Sequence, residues 1–387
     1  MVFGDRKFFR QVQENTNYEV KDALEKKYKR IVVKVGSNVL TRADGTLDTT
    51  RMSALVDQIA ELMAGGMEVI LVSSGAVAAG RSEVVPKPHH LDAVGSRQLF
   101  SAVGQGKLIG KYYELFREHG IVCGQVLTTK ESFGTREHYL NQRNCMAVML
   151  ESGVVPVVNE NDTISVTELM FTDNDELSGL VAAMMDAEAL VILSNIDGIY
   201  DGDPADPASR VIERILPGES DLSRYVQSSR SSFGRGGMLT KSRIAAKVAS
   251  EGTEVIIANG KRENILCRLM GGKRDEGTIC TRFVPASTPK SAIKKWIAHS
   301  ESFAKGEIHI SPLACQALTG EKATSLLPIG VSEIRGDFEK DDIVRIIAPD
   351  GRQIGVGRVS TGSQQARRQM GRKGGKALVH YDYLCLD

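Results

Sequence analysis

Residues 31–76 read IVVKVGSNVLTRADGTLDTTRMSALVDQIAELMAGGMEVILVSSGA. The β-branched run 31–35 predicts a short buried strand that stops at Gly36. From 49 to 64, Met52, Leu55, Val56, Ile59, Leu62 and Met63 fall at helical spacing. MEVILVSS (67–74) is a second largely apolar strand ending in a Ser-Ser-Gly turn, and another helical stretch starts at Ala76. Strand, helix, strand in that order is a βαβ unit, so the two strands are expected to be parallel.

Working outward, further buried strands are expected at 121–127, 154–158, 189–193 and 254–258, separated by helical stretches at 137–150, 176–186 and 240–251. Near-continuous apolar strands imply a sheet covered on both faces. Residues 30–284 are therefore read as one three-layer α/β/α sandwich with a mainly parallel sheet. Two prolines and several small polar residues mark 285–302 as a linker. After it come short alternating strands, EIHIS, DIVRIIA, IGVGRVS and ALVHY, with Gly and Asp-Gly turns, which predicts a small, mostly β module over 303–387 with one helix at 311–319. Residues 1–29 form an N-terminal extension, read either as a packed amphipathic helix or as disordered chain.

The 387 residues carry a net charge of +1, unevenly spread. Residues 31–284 hold 26 Lys/Arg against 32 Asp/Glu, and residues 285–387 hold 15 against 11. A modestly basic tail without interleaved aromatics falls short of a nucleic-acid footprint, so RNA binding by the tail is possible but unsupported. Six cysteines lie far apart with no C-x-x-C pair, which speaks against a zinc site or redox dithiol. No run approaches the ~18 apolar residues of a membrane span, and the first thirty residues are too charged for a secretory core. The expected setting is cytoplasmic, away from membranes.

Glycine-rich loops follow apolar stretches at KVGSN (34–38) and SSGA (73–76), and a third lies at FGRGGMLTK (233–241). Beyond the carboxyl ends of parallel strands, glycine lets backbone amides approach phosphate. The third loop is no Walker A sequence, because Thr240 rather than glycine precedes Lys241; nor does Gly36-Ser37-Asn38 fit G-x-G-x-x-G. A glycine pair and a lysine at a helix start remain a sensible phosphate cradle. Between 159 and 178 the chain reads NENDTISVTELMFTDNDELS, with Asn159, Glu160, Asn161, Asp162, Asp173, Asn174 and Asp175 around an expected short hairpin. Such acids and amides are either a solvated loop or ligands for an ammonium group or hydrated Mg²⁺.

Taken together, KVGSNVLT (34–41), VSSGAVAAGR (72–81), VVPVVNENDT (154–163), FTDNDELS (171–178), LSNIDGIYDGDP (193–204) and GRGGMLTK (234–241) resemble the glutamate 5-kinases of the amino-acid kinase family. The tail resembles a PUA domain. The resemblance implies ATP-dependent phosphorylation of the γ-carboxylate of L-glutamate, the first step of proline biosynthesis, with Mg²⁺ as cofactor. It implies that Lys34 and Lys241 contact the transferring phosphoryl group and that Asp175 positions them. Ser74, Gly75, Ala76, Asn159, Asp162, Asp173 and Asn174 would bind the amino acid. Lys34, Ser194, Asn195, Arg235, Gly236, Gly237, Met238, Leu239, Thr240 and Lys241 would bind ATP. No protein ligand to the metal is named. The family usually has a Ser/Thr-Asp pair where this chain has Ser194-Asn195, which leaves an amide in place of a carboxylate at that nucleotide contact. Proline as feedback inhibitor, a separate glutamyl-phosphate reductase as functional partner and a homo-oligomeric state are further implications. Two alternatives are carried: a kinase of another acid, such as N-acetylglutamate, aspartate or carbamate, on the same fold, and an RNA-binding protein acting through its tail. The NENDT and TDNDELS segments suit a free α-amino group, which an acetylated substrate lacks.

Overall fold

The computed structural model describes residues 28–84, 92–164, 171, 174–217, 237–271, 277–320 and 323–386. The readings of 1–27, Asp173, Arg235 and Gly236 therefore lie outside the described residues. The chain divides into two compact units, one of residues 1–130 and 141–289, the other of residues 131–140 and 290–387.

The first unit is built on an eight-stranded sheet. In chain order its elements are β1 (Arg30–Val35), α1 (Ser37–Leu40), α2 (Thr49–Ala64), β2 (Glu68–Ser73), α3 (Ala76–Arg81), α4 (Ala93–Glu118), β3 (Val122–Thr128), α5 (Arg136–Glu151), β4 (Val154–Glu160), α6 (Asn174–Met184), β5 (Ala189–Ser194), β6 (Arg214–Ile215), α7 (Met238–Ser250), β7 (Glu254–Asn259), α8 (Ile265–Met270) and β8 (Cys280–Phe283). The strand order is β3-β4-β2-β1-β5-β7-β8-β6. From β3 to β7 all neighbours run parallel, and β1 sits between β2 and β5 with Val33 opposite Leu71 and Val191. Only β8 reverses against β7. Six parallel strands thus end at one edge, at Thr128, Glu160, Ser73, Val35, Ser194 and Asn259.

Strand periodicity sorts the side chains of the central strands. Ile31, Val33 and Val35 join Val69, Leu71, Val191 and Leu193 in one core, packed with Met52, Leu55, Val56, Ile59 and Leu62 of α2 and Leu266 of α8. Alternation by two turns Lys34 to the other face. There it meets α6, as its ion pair with Asp175 shows. The α2 helix starts where Asp48 Oδ1 accepts from the Arg51 amide at 3.1 Å, a side-chain N-cap, and ends at Gly65-Gly66. The α3 and α4 helices cross at two glycines: a Cβ on Gly80 would lie 1.8 Å from Phe100 O, and one on Gly104 1.8 Å from Ala76 O.

The second unit has its own five-stranded sheet and core. Its elements are α9 (Ala292–His299), β9 (Gly306–Ile310), α10 (Pro312–Leu318), β10 (Val331–Gly336), β11 (Ile343–Ile347), β12 (Gln353–Val359), α11 (Ser363–Gln369) and β13 (Val379–Leu386), and the strand order is β10-β9-β11-β12-β13. Ile308, Ile310, Val344, Ile346, Val359 and Val379 lie in the core. The single helix expected in the tail is joined by a second, α11, whose sequence SQQARRQ carries almost no apolar periodicity and buries little beyond Ser363 and Ala366. The stretch read as linker contains α9, whose Trp296 donates its indole N–H to Phe133 O at 3.1 Å and lies beneath the Arg136 guanidinium. Residues 131–140 accordingly belong with the second unit's packing rather than with the sheet they precede.

Candidate active site

Two lysines from distant parts of the chain meet one carboxylate at the carboxyl edge of the sheet. Lys34, the penultimate residue of β1, lies with Nζ 2.5 Å from Asp175 Oδ1; Lys241, in the first turn of α7, lies 2.7 Å from Asp175 Oδ2. Asp175 is fully buried, and Lys34 is 5% exposed. Burial would push the Asp175 carboxyl up, but the two adjacent ammonium groups prevail and hold it below the ordinary carboxylate range. Its place in the first turn of α6 adds the favourable end of a helix dipole. With both lysines charged, the trio carries a net +1 in a site largely removed from water. Gly36 keeps the space beside Lys34 open, since a Cβ there would come within 3.5 Å of Nζ and 3.3 Å of Leu193 O.

Asn174 links this charged trio to an amide-rich half. Its Nδ2 donates to Ser74 Oγ at 2.9 Å and to Asn159 Oδ1 at 3.0 Å. Asn159 Nδ2 in turn donates to Gln105 Oε1 at 2.8 Å. The ends of β2 and β4, the start of α6 and the middle of α4 are thereby joined through side chains. Gly75 begins α3 with φ of 107°, a left-handed conformation natural to glycine, which lets the backbone turn at Ser74 and leads into buried Ala76. Below Ser74, the buried Tyr112 hydroxyl and Ser73 Oγ are 2.9 Å apart.

Asp162 stands beyond the end of β4 and is held by α4. Ser101 Oγ donates to its Oδ2 at 3.3 Å, and Arg97 pairs with its Oδ1. The same Arg97 Nη2 lies 2.9 Å from Glu160 Oε2, while Glu160 Oε1 accepts from the Phe171 amide at 2.9 Å. A cavity of about 240 Å³ opens beside these groups, lined among others by Ser101, Gln105, Glu160, Asn161 and Asp162.

The other half of the edge suits a nucleotide. Ser194 ends β5 opposite Asn259 of β7, and the Gly260 amide donates to Ser194 O at 2.8 Å. Among the described residues, Ser194 Oγ is 3.4 Å from the Asn195 side-chain oxygen. Gly237 precedes α7, followed by Met238, Leu239, Thr240 and Lys241 in its first turn. The first amides of such a helix lack intrahelical acceptors and point toward an incoming anion. Asp197 is fixed nearby by Arg262, at 2.6 and 2.7 Å, and by Asn259 Nδ2 at 3.1 Å; the hydrogen bonds from Arg262 hold its carboxyl below the usual range despite partial burial.

The structure thus brings together Lys34, Ser74, Asn159, Asn174, Asp175 and Lys241, with Asp162 tied to the same group through α4. Sequence reading missed Arg97, Ser101 and Gln105, gave Asp197 no role, and counted Glu160 in the acidic segment without naming it a site residue. A signal existed: 97, 101 and 105 are four apart and so share a helical stripe. Nothing in the sequence told which element that stripe faces.

The family model described as "Amino acid kinase family" matches residues 29–259, and the PUA domain model matches residues 306–380. A protein of Bacteroides thetaiotaomicron named glutamate 5-kinase is 66% identical over 364 residues, covering 94% of this chain and 100% of that protein. The glutamate 5-kinase of Chlorobaculum tepidum is 48% identical, covering 93% and 98%. A solved carbamate kinase from Giardia lamblia bound to AMP-PNP covers 67% of this chain and 100% of that one, at 16% identity and TM-score 0.48. The motif set, the lysine-bridging carboxylate and near-complete relatives at such identity agree, and the chain belongs to the glutamate 5-kinases of the amino acid kinase family, with a C-terminal PUA domain.

Proposed function

We propose that this chain transfers the γ-phosphoryl group of ATP to the γ-carboxylate of L-glutamate, with Lys34, Lys241 and Asp175 as the groups that act at the transferring phosphoryl. The observation that carries the assignment of roles is the bridge of both lysines through one buried carboxylate. The shared name of the relatives supports glutamate over N-acetylglutamate, aspartate or carbamate, and over a purely RNA-binding role.

The chemistry fits what these side chains supply. A glutamate side chain has a reference pKa of about 4.3, so at neutral pH the attacking carboxylate is already ionised and no general base is required. A carboxylate oxygen forms a bond to the γ-phosphorus as the bond to the β,γ-bridging oxygen breaks, and ADP leaves with the electron pair. The obstacle is the approach of one anion to another. Two lysines offset that repulsion, and Asp175 holds their ammonium groups a fixed distance apart so that they need not reorganise as charge shifts. The α7 amides after Gly237 and the Ser194-Asn195 turn take the nucleotide; Arg235 and Gly236 are proposed with them. On the other side Ser74, Gly75, Ala76, Asn159, Asp162 and Asn174, with Asp173, take the amino acid.

Both Asp175 oxygens are engaged by ammonium groups, a donor set that does not fit a metal ligand. Mg²⁺ is accordingly assigned to the nucleotide, entering as MgATP with phosphate oxygens and water as its ligands. No helix among the described residues is long and apolar enough to cross a membrane; a cytoplasmic setting, a homo-oligomeric state, proline as inhibitor and a separate reductase that consumes the acyl phosphate remain part of this proposal. The test is glutamate-dependent ADP formation with hydroxylamine as trap. Glutamyl hydroxamate should accumulate with glutamate and not with N-acetylglutamate or aspartate; turnover preferring either of the latter would overturn the assignment.

A further inference from the structure

The α4 helix presents Arg97, Ser101 and Gln105 on successive turns to residues at the end of β4. Gln105 accepts from Asn159, Ser101 donates to Asp162, and Arg97 pairs with both Asp162 and Glu160. Glu160 is 4% exposed and Asp162 6%. Two carboxylates this close and this buried repel one another strongly unless a cation lies between them. Arg97 is that cation. Its planar guanidinium also fixes direction, which a mobile point charge would do less well.

We infer that Arg97 is a positioning residue that determines specificity for the amino-acid substrate: it locks the Asp162 carboxylate in place, and the corner of Arg97, Glu160 and Asp162 carries one net negative charge among these three side chains, the complement of a single α-ammonium. This rests on the assignment of Asp162 to the amino-acid side of the site. Without Arg97 the two carboxylates would turn apart and Asp162 would lose its aim. Without the Glu160 charge the corner would be neutral and hold an ammonium poorly, even though the geometry survived. Neither change touches the Lys34–Asp175–Lys241 bridge, so chemistry on bound substrate should persist.

The charge argument distinguishes ligands with and without an ammonium. Glutarate carries the same two carboxylates as glutamate but no α-nitrogen. The experiment compares Arg97→Gln, Arg97→Lys and Glu160→Gln with the parent chain, measuring kcat, KM for glutamate and ATP, and the inhibition constant of glutarate against glutamate. Glu160→Gln keeps an oxygen for the Phe171 amide. The expected result is a KM for glutamate raised about tenfold in Arg97→Gln and several-fold in Glu160→Gln. The ATP KM, kcat and the glutarate constant should each stay within about threefold, and Arg97→Lys should recover most of the loss. Equal weakening of glutamate and glutarate, a loss confined to kcat, or an unchanged KM for glutamate would each overturn the inference. Melting temperatures separate these outcomes from misfolding, and a parent chain without glutamate-dependent turnover would instead mark the failure of the underlying assignment.

Discussion

Lys34 and Lys241 are separated by most of the first unit's sequence yet share one carboxylate, and that sharing dictates how each should fail. On the proposed role, Lys34→Ala or Lys241→Ala removes charge that matters most as the phosphoryl group transfers. Each variant should lose on the order of 10²–10³-fold in kcat, with modest change in either KM. Steady-state kinetics that left turnover near normal and raised only KM would contradict the role. Asp175→Asn tests the third member differently. Its folded-state pKa is depressed, so its stabilising contribution is fully present above the unfolded value of about 3.9 and is lost as pH falls through the folded value. Removing one member of a buried ionic group costs about 3–5 kcal/mol. Asp175→Asn should therefore melt well below the parent at pH 7. That gap should hold down to about pH 4 and close only below it, where the parent's own carboxyl becomes protonated. Thermal unfolding between pH 7 and 3 checks this, and a gap already closing near pH 6 would mean Asp175 is not held ionised.

Much of the element level was legible from residue patterns. Continuous apolar runs marked the parallel strands, but within the run 31–35 nothing singled out Lys34 as facing away from Val33 and Val35 until the structure showed its ion pair with Asp175. Where reading fell short, the physical signal was local and weak. Strand β10 reads VSEIRG with four exposed residues, and α11 has no apolar stripe, so neither stood out. Of the side chains that meet at the carboxyl edge, those at strand ends were named from the sequence, whereas Arg97, Ser101 and Gln105 lie inside a helix whose partner only the tertiary fold defines. The crossing of α3 and α4 shows how closely that helix is set. Gly80→Ala or Gly104→Ala would drive a Cβ into backbone carbonyl oxygens, which no rotamer change relieves. Overpacking of this kind costs about 1–3 kcal/mol or more, a Tm loss on the order of 5–10 °C. Because α4 carries the polar stripe, Gly104→Ala should also raise KM for glutamate while sparing that for ATP. Calorimetry and kinetics on the same preparation test both halves, and a Tm within a degree of the parent would show that the crossing is looser than drawn.

At the scale of the whole molecule, the residues proposed for catalysis and the PUA domain lie in separate units, and each unit has its own core. Deleting residues 290–387 would remove the indole and the ring packing that hold 131–140, including buried Phe133 and Tyr139. The shortened chain should melt lower and be prone to aggregate through those rings. Its amino-acid site, made wholly of first-unit residues, should nonetheless keep its selectivity. Proline provides the sharpest probe of that independence. It carries the α-carboxylate and positively charged α-nitrogen of glutamate, so groups that hold one head group can hold the other. Lacking a γ-carboxylate, it offers ATP no nucleophile and would occupy the site without reacting. Inhibition by proline should therefore be competitive with glutamate in both the full and the shortened chain. If Asp162 holds the ammonium as proposed, Asp162→Asn should weaken proline and glutamate together, because both carry that group. Initial rates over a grid of glutamate and proline concentrations decide the matter. Inhibition that saturating glutamate cannot relieve would place proline elsewhere, and inhibition lost on truncation while turnover survives would tie control to the second unit.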